Sequence, residues 1–246
     1  MEAASKTLRT EAEAEDVRPP KNTLSPFNFP DLTIKIGDED IFVKKDDLME
    51  ASPVFKTMFT VNFKEKDAKQ IELPDKDPTT FALFLRHTLS GFDGLELQES
   101  EARLILPLAH EYQTGTTLSK IDEVLAACVE GREYQCHKKL TDEILTAEFY
   151  NLKQYVTACI EKTSEFSHKA LRKNPKFRDV SGDTRSEIFL HLCKEMEIKI
   201  DQCIQELEVN TKHNCGNCAS TRRFCEASDK LKSIRKAKGP RLYVLK

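Results

Sequence analysis

The chain has 246 residues, 39% hydrophobic and 32% charged, with 8 Gly and 10 Pro, enough apolar material for one or two globular domains and the wrong composition for a collagen-like, low-complexity or disulfide-scaffold protein. The formal net charge is only −3, but ten Lys/Arg stand against Glu226 and Asp229 over 210–246 while 21–209 is acidic, so no nucleic-acid surface is expected of the body. No apolar run approaches the roughly eighteen residues of a membrane span, the acidic first twenty residues hold no signal-type apolar region, and all eight Cys lie at or beyond Cys128 without an Asn-x-Ser/Thr sequon, so the reading is reduced thiols, no membrane partner, and a cytoplasmic or nuclear location.

Residues 1–30 combine an Ala/Glu-rich stretch with Pro19, Pro20, Pro26 and Pro30 and read as a flexible leader. Leu32, Ile34 and Ile36 then alternate with Thr33 and Lys35, Gly37-Asp38 turns the chain, and Ile41-Phe42-Val43 follows, which predicts a hairpin. Leu48 sits at helical spacing before Ser52-Pro53, where Ser52 as N-cap and Pro53 at N1 predict a second short helix carrying Val54, Phe55, Met58 and Phe59. A third strand is expected at Ile71-Glu72-Leu73, stopped by Pro74, and then a helix from Asp77-Pro78 to Gly91 with Phe81, Phe84, Leu85 and Leu89 on one stripe. Helices over 99–112, with Leu104, Leu108 and Tyr112 inward, and over 118–130, with Leu118, Ile121, Leu125 and Cys128 inward, complete an α+β domain at 31–131.

Beyond Gly131 the strand patterns stop, and 132–209 reads as an all-helical extension. One helix is expected over 141–162 with Leu145, Phe149, Leu152, Val156 and Cys159 on one face. Another spans 184–209, where Phe189, Cys193, Met196, Ile200, Cys203 and Leu207 recur at spacings of four and three; fewer than three such repeats favour packing on its own domain over a coiled coil. The stretch Leu106 to Tyr112, followed by a helix ending in Ala127-Cys128, has an echo in Leu145 to Tyr150 and a helix ending in Ala158-Cys159. Residues 210–246 form a basic, Cys-containing tail.

Catalytic patterns are missing. There is no dinucleotide or P-loop Gly pattern and no G-x-S-x-G nucleophile turn, and His110-Glu111 is half of a metalloprotease motif with Thr114 where the second His would stand. No enzyme and no cofactor is expected. The metal-like cluster is His213-x-Cys215-x-x-Cys218-x6-Cys225, four N/S ligands of the kind structural zinc takes, with Gly216 permitting the knuckle; the alternative is a cysteine-bearing basic tail. Arg222, Arg223, Lys230, Lys232, Arg235, Lys236, Lys238 and Arg241 read either as a solvated tail or as an import signal.

The run from Asp31 to Gly91 closely resembles the BTB (POZ) domain. The elements that carry the resemblance occur in order: the Asp31-led strand, Ser52-Pro53-Val54-Phe55 with Met58-Phe59, Ile71-x-Leu73-Pro74, Phe81 in the Pro-initiated helix, and Leu108-Ala109 with Tyr112. Residues 140–192 are more weakly similar to the helical extension that follows this domain in substrate adaptors. The resemblance implies a BTB/POZ fold, a small sheet flanked by helices, and a protein whose activity is binding: self-association as a homodimer, and docking to the N-terminal domain of cullin-3 so that a substrate protein is presented for ubiquitylation. Phe63-Lys64-Glu65 matches the family's cullin-docking signature, next to Met58 and Phe59 of the preceding helix, while Asp31 and Lys45 fall on the buried acid and base pair near the family's dimer interface. The sequence departs from the family at Lys44, where His is common, and at Leu89, where Tyr is common. No MATH, kelch or ankyrin pattern follows in this sequence, so substrate recruitment would rest with 132–246 or another protein. The other reading is an oligomerising BTB scaffold or nuclear transcription cofactor without ligase association.

Overall fold

The computed structural model describes residues 30–61, 63–91, 94–213 and 226–232. They divide into two compact units at Asp93/Gly94, a boundary inside the 31–131 stretch expected to form one domain. The leader and most of the basic tail fall outside the described residues, apart from a helical segment at 226–232.

In the first unit, β1 (Leu32–Ile36) lies between β2 (Glu39–Val43), which it pairs antiparallel, and β3 (Gln70–Glu72), which it pairs parallel. Ile34 faces Ile41 on one side and Ile71 on the other, so the period-two alternation gathers Leu32, Ile34, Ile36, Ile41, Val43 and Ile71 on one buried face. Gly37 at φ 60° makes the hairpin turn. A parallel partner needs a crossover, and α1 (Lys45–Ala51) and α2 (Pro53–Thr60) supply it. Ser52 is completely buried and ends one helix while capping the next: its backbone N–H bonds Leu48 O, and its hydroxyl accepts from the Phe55 N–H at 3.2 Å. α2 then buries Phe55 and Phe59, rings stacked 6.1 Å apart, each such side chain contributing about 1.5–3 kcal/mol. α3 (Pro78–Thr88) starts at the Asp77 cap, whose carboxylate accepts from the Thr80 N–H and hydroxyl at 2.7 Å, and buries Phe81, Phe84 and Leu85. It ends at Thr88, before the expected Gly91.

The second unit is helical. α4 (Glu99–Glu111) and α5 (Gly115–Glu130) form one pair, α6 (His137–Phe149) and α7 (Lys153–Lys162) another, and α5 packs on α7. The echo seen in the sequence is a repeat of turn geometry. Tyr112 and Tyr150 end their helices with φ, ψ of −88°, 3° and −92°, 2°, followed by Gln113 at φ 53° and Asn151 at φ 55°. Thr114 N–H then bonds Ala109 O at 3.0 Å and Gln113 N–H bonds His110 O; Leu152 N–H bonds Ala147 O at 2.9 Å and Asn151 N–H bonds Glu148 O. Both are Schellman turns with a left-handed residue that is not Gly.

These turns correct three expectations. The helix expected over 141–162 is two helices, because the chain reverses at Tyr150-Asn151. Phe149, expected inside, is 72% exposed, and in α4 Leu104 faces solvent while Ile105 and Ala109 are inward. Beyond α7 come a 3-10 turn (Thr163–Glu165), α8 (His168–Lys173), a second 3-10 turn (Pro175–Arg178) and α9 (Gly182–His213). α9 packs on α7 and the first of these turns through fully buried Ile188, and the His191 ring lies 3.2 Å from Glu161 O. Of the regular stripe expected to pack on its own domain, Phe189, Cys193, Met196 and Cys203 are exposed while Ile200 and Leu207 are half-buried; the periodicity is real, but the buried apolar residues of α9 are Ile188 and Ile204, each one position off it.

Candidate functional site

The segment between α2 and β3 begins where the helix ends, Val61 N–H bonding Thr57 O. Residues 63–67 form a turn in which Lys66 N–H bonds Phe63 O and Ala68 N–H bonds Glu65 O, both at 3.2 Å. With its backbone used in this way, the turn projects side chains outward: Phe63 is 53% exposed and Glu65 half-buried. An exposed Phe fixed two residues from a carboxylate offers an apolar anchor and a charge that sets its orientation, the composition of a protein-binding spot. Met58 is half-buried on the adjoining helix. Phe59, grouped with these residues on sequence grounds, is placed differently: it is 4% exposed, stacked on Phe55 and covered by the Lys45 ammonium 4.7 Å from the ring centroid, so it shapes the site from the core and has no free face.

Within the single chain Asp31 and Lys45 are brought together by a backbone hydrogen bond. Asp31 is exposed and its Oδ1 accepts the backbone N–H of Lys45 at 2.7 Å, capping α1 from across the hairpin because Lys44 supplies no side-chain cap. The Lys45 Nζ turns the other way and bonds Lys66 O, inside the Phe63–Asp67 turn. One lysine therefore ties the end of the sheet, the face of Phe59 and the projecting turn together.

The second unit contains an ionic network that residue patterns gave no means of finding. Glu143, 5% exposed, accepts from Arg103 (3.0 Å), Arg132 (2.9 Å) and the Tyr155 hydroxyl. Glu99 accepts from the same two arginines, Arg103 Nε at 2.9 Å and Arg132 through both oxygens. The five side chains join α4, α6, α7 and the segment after α5. Burial pushes the Tyr155 hydroxyl far above its ordinary value, reinforced by the hydrogen bond to Glu143. Burial alone would raise Glu99, but the hydrogen bonds and charges of Arg132 and Arg103 outweigh it and hold the carboxyl below the usual range. Asp122, 9% exposed on α5, accepts the N–H groups of Gln154 (3.1 Å) and Tyr155 (2.8 Å) and so caps α7 from a neighbouring helix.

Nucleophile candidates fare poorly. Burial pushes the thiols of Cys128 and Cys159 up, with Glu99 and Glu143 adding to the shift, so neither is activated. His110 stacks edge-on against Tyr150 at 5.2 Å, and Thr114 is a buried turn residue. Among the described residues no group of three or more His, Cys, Asp or Glu could hold a metal. Of the proposed zinc ligands, His213 closes α9 and Cys215, Cys218 and Cys225 lie outside the described residues.

The element order, with a hairpin, two short helices, a parallel third strand and a Pro-initiated helix, is what the resemblance implied, and residues 21–129 match the family model for the BTB/POZ domain. The chain carries a BTB/POZ domain. It is 28% identical over 134 residues to the BTB and MATH domain-containing protein 15 of Caenorhabditis elegans, covering 54% of this chain and 45% of that protein. With protein 38 of the same name and organism it shares 24% identity over 168 residues, 68% of this chain and 41% of the relative. Trishanku of Dictyostelium discoideum is 37% identical over 71 residues, 29% of this chain and 10% of Trishanku. The chain thus spans less than half the length of these relatives. The BTB/POZ domain is a protein–protein interaction module, here with Phe63 and Glu65 on its surface.

Proposed function

We propose that this chain is a substrate adaptor that docks the N-terminal domain of cullin-3 through Phe63, Glu65 and the adjoining Met58, and that pairs with a second copy through the BTB/POZ domain near Asp31 and Lys45. The observation that carries the reading is the exposure of Phe63, 53%: a core Phe could not serve as an anchor, and this one is held outward by a hydrogen-bonded turn. In this reading the chain performs no covalent chemistry; it positions other proteins, from the cytoplasm or the nucleus. Nor does the BTB part require a cofactor. The basic run from Arg222 to Arg241 favours the second reading, an oligomerising scaffold or nuclear transcription cofactor on the same fold.

The test is a titration of the purified chain against the N-terminal domain of cullin-3, wild type beside the Phe63→Ala/Glu65→Ala double variant. Losing an apolar anchor and its charge partner is expected to weaken binding by about thirtyfold or more, while thermal stability stays within about 0.5 kcal/mol, as for other exposed positions. Absence of binding by folded wild type selects the scaffold reading, and a destabilised double variant would show that Phe63 packs inside. Light scattering that returns the monomer mass at micromolar concentration would refute the dimer.

A further inference from the structure

α8, the second 3-10 turn and the first half of α9 enclose an open groove of about 950 Å³. Its floor is apolar: Phe189, Leu192 and Met196 project from consecutive turns of α9, with Phe189 37% and Met196 49% exposed, and buried Phe177 closes one side. Its rim is cationic, formed by Arg172, Arg178 and Arg185. Among the described residues no carboxylate lines it; Asp183, in the same first turn of α9, does not reach the groove. Arg185 donates to Ser181 O, and among the described residues neither Arg172 nor Arg178, both exposed, pairs with a carboxylate. The groove also receives the first turn of α9, at Gly182 and Ser186, whose helix dipole adds to the positive potential.

This arrangement is unusual within an acidic body. Elsewhere in the same unit arginines are matched to carboxylates, Arg103 and Arg132 to Glu99 and Glu143. Here three guanidiniums converge without one, beside large apolar side chains that a monomer ordinarily covers. We propose that the groove is a docking site for a short acidic, amphipathic peptide segment of a partner protein, one that sets Asp or Glu against the arginine rim and large apolar side chains against Phe189, Leu192 and Met196. Charge complementarity selects this occupant. A guanidinium fork pairs bidentately with a carboxylate, and the apolar floor gives the peptide a hold that a purely anionic polymer lacks. The groove shares no residue with the Phe63–Glu65 turn, and the proposal stands whether or not that turn docks cullin-3.

The test uses the full chain and phage-displayed random short peptides, followed by fluorescence polarisation with the enriched sequence. Two variants probe the two halves of the site: Arg172→Glu with Arg178→Glu inverts the rim, and Met196→Asp spoils the floor; all three positions are exposed, and circular dichroism checks that each variant is folded. The expected result is a consensus of acids interleaved with Leu, Ile, Phe or Met, bound at least about tenfold more weakly by either variant. Cullin-3 binding, measured in parallel, is expected to be unchanged. The proposal is overturned if no peptide is enriched, if the consensus lacks acids, or if the variants bind it as tightly as wild type. It is also overturned if a poly-dT oligonucleotide competes equally with wild type and Met196→Asp, which would make the rim a general anion surface. A dimer mass that dissociates on reversing the arginines would instead assign the groove to a second copy.

Discussion

Replacing Glu143 by Ala tests whether the buried network holds the helical unit together. The side chain is 5% exposed and accepts from three donors. Its removal leaves the Tyr155 hydroxyl, in a fully buried residue, without its acceptor, which costs about 1–3 kcal/mol. Breaking a fully buried ion pair from one side costs about 3–5 kcal/mol, but the full amount does not apply here. Arg103 and Arg132 keep 35% and 22% of their side-chain surface exposed and both still bond Glu99, so solvent and the second carboxylate reduce the ionic part to about 1 kcal/mol. The sum is about 3 kcal/mol, or roughly 6–12 °C in melting temperature for a chain of this size. Glu143→Gln keeps an acceptor for Tyr155 and loses the charge, so about 1 kcal/mol is expected. Scanning calorimetry of the full chain measures both. A melting point for Glu143→Ala within about 2 °C of wild type would refute the reasoning, since it would mean that the desolvation of the ions cancels all they contribute.

Other expectations follow from neighbouring groups. Asp122→Ala removes the carboxylate that caps α7 at Gln154 and Tyr155 and should cost about 1–2 kcal/mol, read by urea unfolding together with faster hydrogen exchange at those two amides; unchanged exchange would show the cap to be idle. Glu99 is held below its ordinary value of 4.5, so its contribution is fully present above that pH and is lost as pH falls through the lower, folded value. Glu99→Gln should accordingly flatten the acid side of the stability curve and leave its alkaline side in shape, and an unaltered slope below pH 4.5 would contradict the assignment. Elemental analysis of the purified chain should find about one zinc per chain, held by His213, Cys215, Cys218 and Cys225; a value near zero would remove that site.

Where a residue type forces geometry, the sequence was legible. Gly37, the Ser52-Pro53 pair and Asp77-Pro78 each mark a junction that the structure has at that position, and strict alternation in Leu32–Ile36 identified the buried face. Legibility failed where the break is built by Tyr150-Asn151 instead of Gly or Pro: the left-handed Asn151 carries no strong composition signal, so α6 and α7 read as one helix. It failed also where periodicity shows that a stripe exists without showing what covers it. Leu104, Phe149 and Met196 belong to such stripes and are exposed. Phe63 and Glu65 were singled out because motif and position coincide with the family signature, whereas the Glu99–Arg103–Arg132–Glu143–Tyr155 network joins side chains up to 52 positions apart, a separation over which one sequence carries no pairing information.

The family match stops at residue 129, three residues short of Arg132, and Glu143 and Tyr155 lie further on. The edge drawn by homology is therefore not an edge in the folded energy. A chimera that cuts at 130 and grafts another helical segment would leave Glu99 with one of its two arginines, Arg103 with one of its three partners, and α5 with a carboxylate, Asp122, that has no helix to cap. Recombination here carries a compatibility requirement: any new segment has to bring an arginine soon after α5 and an acid and tyrosine on its first two helices, or else the host must lose its own charges in the same step.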